Sequence, residues 1–179
     1  MMHVTGAGIG EFLGEQLRTA TLGGWAAAAA CALAVLVLAG SGIWLAATDL
    51  REHRLPRSVV WPLYPVTLAL LGVSAALSEQ HVRWWWMLWG FAIMGGLFAL
   101  LRLTYPAGMG LGDVRLAGVL GLATGFASVW HTVLALVVTF VLAGAVSLAL
   151  LAARRITMST RVAFGPFMLL GSLGVIAFV

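Results

Sequence analysis

Six apolar stretches, each near the length that crosses a lipid bilayer, leave this 179-residue chain little from which to build a water-facing shell. They run over about 24–48, 58–77, 84–103, 113–130, 132–153 and 162–179, and a spanning helix needs about 20 mostly apolar residues. The fourth and last are short. Inside hydrocarbon every backbone N–H and C=O must find its partner within the protein, so runs of this length fold as helices. The hydrophobic share is 62% and the charged share 9%, against about 45–50% and about 25% in soluble domains. Mean hydropathy is +1.05. The expected fold is all-α: a polytopic membrane helix bundle with about six transmembrane helices over 24–179. Residues 1–23 are expected to form a short extracytoplasmic or interfacial lead-in. Glu11 and Glu15 precede the single Arg18 there, the wrong sign for a secretory signal.

Polar or helix-breaking residues separate the stretches at Arg51–Arg57, Ser78–Arg83, Thr104–Gly112, Trp130–His131 and Arg154–Arg161. Pro56 and Pro106 fall in such connections, where a missing amide donor does little harm. Loops this tight leave no room for a second domain. The net charge of +4 is carried by arginine alone, without any lysine. Eight arginines (51, 54, 57, 102, 115, 154, 155 and 161) fall at one side of a six-helix arrangement, and only Arg18 and Arg83 at the other. By the positive-inside rule the first side is cytoplasmic and both termini are outside. Charge placed between apolar runs, rather than clustered on an exposed face, speaks against a nucleic-acid partner and for membrane lipid. Cys31, the only cysteine, excludes an intramolecular disulfide and a cysteine-rich zinc site. His3, His53, His81 and His131 are scattered without ligand spacing, so no metal and no cofactor is implied. Trp84, Trp85, Trp86 and Trp89 suit an interfacial anchor. Ala117, Gly121 and Gly125 give one face the small-residue spacing that lets a neighbouring helix approach.

The chain has two aspartates, Asp49 and Asp113, and both fall on the predicted cytoplasmic side at the ends of apolar runs. An ionisable group at membrane depth is costly and marks a functional site. Two carboxyls that share one proton can polarise a water between them, the chemistry of an aspartic protease. Gly108, Gly110 and Gly112 directly precede Asp113, and glycines there allow tight turns and close backbone approach. Asp113 is expected near a helix N-terminus. His53, and with it Arg54, stands close enough after Asp49 to tune that carboxyl if the first helix continues to Leu55. Two other classes stay open on these residues: a proton- or ion-coupled transporter, and a non-catalytic membrane assembly factor whose aspartates only pair with arginines.

Three blocks resemble a known family, the type IV prepilin peptidases, membrane aspartic proteases of the GxGD kind. Asp49-Leu50-Arg51-Glu52-His53-Arg54-Leu55-Pro56 resembles the family's first-aspartate segment. Gly108-Met109-Gly110-Leu111-Gly112-Asp113-Val114-Arg115-Leu116 resembles the second, with Arg115 where lysine is more usual. Phe164-Gly165-Pro166-Phe167 resembles the segment that opens its last helix. The resemblance implies a multi-pass enzyme of the cytoplasmic membrane that removes short basic leaders from prepilins and pseudopilins. Asp49 and Asp113 would be its catalytic residues, and His53, Arg54 and Arg115 supporting ones. It implies cleavage after a glycine, just before the pilin's hydrophobic helix. Many members also carry a cytoplasmic module with paired Cys-x-x-Cys motifs that methylates the new N-terminus. With one cysteine and short loops, this chain is expected to be a peptidase-only form.

Overall fold

A computed structural model of the protein describes residues 8–52, 56–106, 109–155 and 163–178. Every regular element among them is an α-helix: α1 (Ile9–Arg18), α2 (Leu22–Glu52), α3 (Arg57–Leu77), α4 (Val82–Thr104), α5 (Leu111–Ala127), α6 (Val129–Ala152) and α7 (Gly165–Phe178). Each of the six apolar stretches thus forms a helix. Four of them, α2, α3, α4 and α6, are long and apolar enough to cross a membrane. At about 1.5 Å per residue α5 and α7 reach only roughly 25 and 21 Å, short of a hydrocarbon core of about 30 Å.

The reason α5 can be short is that it lies inside the bundle. All residues from Leu116 to Ala127 are buried, as expected of a helix that is apolar all round. Its closest neighbour is α4, and glycine makes the approach possible. A Cβ on Gly121 would overlap the Gly90 carbonyl oxygen, and one on Gly125 would overlap that of Trp86. The small-residue face therefore receives α4, with Ala117 buried beside it. The outward surface of the bundle is apolar, with Ile43, Trp61, Leu100, Val141 and Leu148 exposed. Trp84, Trp85 and Trp89 are exposed as well, at the start of α4.

Two boundaries differ from the sequence reading. The α5–α6 break falls at Ser128 rather than at Trp130–His131. Ser128 is extended (φ −173°, ψ 167°), and its Oγ accepts from the His131 amide at 3.3 Å, as a serine N-cap does. His131 is consequently a buried helical residue and not a loop one. The second difference is Arg83, expected in a connection but found buried in the first turn of α4. Its Nη1 donates to the Phe126 carbonyl at 2.6 Å and its Nε to Gln80 Oε1 at 2.6 Å. The guanidinium lies 4.4 Å from the Phe12 ring and 4.7 Å from the Phe126 ring. One side chain thus satisfies a carbonyl at the end of α5 and holds the amphipathic α1 to the bundle, where Ile9, Phe12 and Gln16 are buried.

The helices of the pairs α2–α3 and α4–α5 run in opposite directions, as cross-helix bonds show. Ser74 Oγ, late in α3, donates to the Ala27 carbonyl, early in α2, at 2.8 Å, while Arg83 at the start of α4 meets the end of α5. The last turn of α2 and the first turns of α5 and α7 accordingly gather at one end.

Candidate active site

Asp49 stands in the last turn of α2 and is only 5% exposed. The burial is compensated from the other end of the chain. The Gly165 amide, first in α7, donates to Asp49 Oδ2 at 3.1 Å. The opening amides of a helix have no intrahelical acceptor and attract anions, so the carboxylate of α2 caps α7. Gly165 has to be glycine for this approach, because a Cβ there would lie 2.8 Å from Asp49 Oδ2. Pro166 follows in the first turn, where its missing N–H costs nothing. Phe164 fixes the entry of α7: its ring centroid lies 6.0 Å from that of Phe98 on α4 and 5.7 Å from that of Phe140 on α6.

Asp113 stands in the first turn of α5. Gly110, the extended residue before that helix (φ −76°, ψ 148°), donates its amide to Asp113 Oδ2 at 3.1 Å. This is the return half of a capping box. The loop ahead of it is clamped by Arg102 at the end of α4, whose guanidinium donates to the carbonyls of Pro106 and Met109.

The bundle brings the two carboxyls, far apart in sequence, within electrostatic reach of each other. Asp113 lies outside the four spanning helices, and its carboxyl is pushed up to about 6. Burial is the largest cause, the charge on Asp49 the second, and the Gly110 amide works the other way. A like charge that opposes ionisation of a neighbouring carboxyl is the electrostatic condition for a shared proton. Among the described residues no three His, Cys, Asp or Glu side chains lie together as a metal site needs.

Of the glycines expected to shape the loop, Gly110 acts through space rather than through dihedral freedom. Its φ is ordinary, and a Cβ would press on Asp113 Oδ2 at 3.1 Å. Gly112 is helical, the second residue of α5. Gly108, His53 and Arg54 lie outside the described residues. Arg115 is half-buried and offers its backbone carbonyl to Tyr64 of α3 at 2.7 Å. Three residues at the site escaped sequence reasoning. Gly165 had a signal, since Phe164-Gly165-Pro166-Phe167 was singled out as a block. Arg102 and Tyr64 had none, because what defines them is a contact between distant segments.

A family model described as the type IV leader peptidase family matches residues 36–152. The match takes in both aspartates and stops before Phe164. No curated protein and no solved structure matches the chain. On the strength of that match the chain belongs to the type IV leader peptidase family.

Proposed function

We propose that this peptidase cuts basic leader peptides from prepilins or pseudopilins at the cytoplasmic face of the membrane, using Asp49 and Asp113 as an aspartic dyad. The observation that carries the reading is that the chain's two aspartates, one on α2 and one on α5, come close enough for the charge of Asp49 to oppose ionisation of Asp113. Asp113, whose ionisation burial and Asp49 both oppose, holds the shared proton. Asp49, oriented by the Gly165 amide, accepts a proton from the water between them. The water oxygen forms a bond to the scissile carbonyl carbon, and the Asp113 proton supports the oxyanion. Collapse breaks the C–N bond, and the leaving nitrogen takes a proton from the dyad. The cytoplasmic placement is supported by charge. Arg51, Arg57, Arg154 and Arg155 are exposed at the aspartate end, whereas at the far end Arg83 is buried and Arg18 alone is exposed.

Co-expression with a basic-leader prepilin tests the reading. The wild-type chain should yield leader-free product. Asp49→Asn and Asp113→Asn should each lower cleavage by roughly 10²- to 10⁴-fold, with the amount of folded membrane protein unchanged. Near-normal cleavage by either variant removes that residue from the mechanism. A transporter or an assembly factor would give no cleavage even as wild type.

A further inference from the structure

Asp49 and Asp113 stand on α2 and α5, and α3 is a helix that packs on both. Whatever fixes α3 against α5 therefore helps fix the gap between the carboxyls. One polar bond does this near the site. Tyr64 Oη donates at 2.7 Å to the carbonyl of Arg115, two residues beyond Asp113. A carbonyl keeps a second lone pair after its helical bond, so α5 loses nothing by accepting it.

The ring is seated for that bond. A Cβ on Gly118 would overlap Tyr64 Oη and stand 3.1 Å from Cζ, so glycine one turn along α5 opens the slot. Phe91 of α4 meets the ring edge-on at 6.2 Å and Trp61 flanks it at 6.0 Å. Tyr64 also lies between Pro62 and Pro65. Each proline removes an i→i−4 bond, so α3 depends here on side-chain contacts to hold its course. A tyrosine that only filled space would place its hydroxyl wherever an acceptor happened to be. This one takes a carbonyl in the turn that follows Asp113.

We propose that Tyr64 is a positioning residue for the carboxyl pair: its hydroxyl ties α5, just beyond Asp113, to α3 and so sets how closely Asp113 stands to Asp49. The inference rests on the reading of the two aspartates as a catalytic dyad, but it can be read out without substrate. Because the chain has only two aspartates, labelling with [13C]aspartate reports their carboxyl carbons alone. In detergent-solubilised protein the pair should titrate in two coupled steps. Tyr64→Phe removes only the oxygen and should bring those steps closer together as the carboxyls separate. In the cleavage assay kcat should fall roughly ten- to a hundredfold, while KM stays within about twofold. Gly118→Ala, whose Cβ would take the place of the Tyr64 hydroxyl and push the intact tyrosine out of its slot, should reproduce both effects and stands in if Tyr64→Phe does not fold.

Titration steps and kcat that match wild type in a folded variant would overturn the proposal. So would a fall in kcat with unmoved titration steps, or a rise in KM alone, which would make Tyr64 a substrate contact. If the wild-type chain cleaves nothing, the peptidase reading fails on its own. The carboxyl titration still decides whether Tyr64 holds the pair.

Discussion

Replacing Gly165 by alanine would set a Cβ 2.8 Å from Asp49 Oδ2. The atom it meets is the end of a side chain, which can swing away at little cost to packing, but that swing abandons the amide that aims the carboxylate. Gly165→Ala is therefore expected to lower kcat roughly ten- to a hundredfold, with a thermal midpoint close to wild type. Steady-state cleavage beside a melting curve in detergent checks the two halves. Asp113 gives a prediction in pH. Burial and Asp49 push its carboxyl up to about 6, so cleavage should decline as pH rises through that value and the shared proton is lost. Removing the Asp49 charge lifts one of the two opposing influences. The carboxyl-carbon midpoint of Asp113 in Asp49→Asn should therefore lie below its wild-type value; a midpoint that stays put would mean the pair is uncoupled. The aspartates were legible in the sequence because an ionisable side chain at the end of an apolar run is costly and so stands out. Gly165 was legible only as part of a resembling block. It acts through a backbone amide, which every residue but proline has, and nothing in its type announces a carboxylate partner 116 positions away.

Glycine governs the next scale too, where α4 and α5 meet. Beside Gly121 and Gly125 the obstacle to a Cβ is backbone of α4, at Gly90 and Trp86, which cannot rotate aside. Gly121→Ala must push the helices apart and should destabilise the protein by about 1–3 kcal/mol, the range of overpacked cores. Denaturant or thermal unfolding in detergent measures this, and a change within error would mean that α4 gives way more easily than its backbone contact suggests. The spacing of these glycines showed a close-packed face but not which helix it receives. The length of α5 was harder to read, since an apolar run of this size can face lipid or be enclosed by protein. Its enclosure follows from neighbours that local pattern does not name. The break at Ser128 was missed for a similar reason. One serine cap suffices to end α5 and start α6, while the bulkier Trp130-His131 pair looked more like a connection.

For the molecule as a whole, orientation is the property that decides which proteins can reach the site. The aspartate end carries four exposed arginines, whereas the other end exposes Arg18 and buries Arg83 among aromatic rings. A cysteine at His81, which is exposed between α3 and α4, should react with an impermeant maleimide on intact cells. One at Arg155, exposed after α6, should react only after permeabilisation. Native Cys31 is fully buried and should stay silent in both. The reverse pattern would turn the bundle over and rule out the proposed cytoplasmic dyad. Alternation of helices and bias of charge were both legible in the sequence. The pinning of α1 to the bundle by Arg83 was not, because a cation next to a tryptophan cluster looks like an interfacial residue until its partners are seen. The Gly165–Asp49 bond also has a meaning in time. A ribosome delivers Asp49 early and Gly165 late, after four intervening helices, so the carboxylate cannot be oriented until the seventh helix is made and docked. A chain halted just before α7 holds both aspartates without that bond, so on the proposed reading proteolysis stays silent until the bundle that confines it is complete.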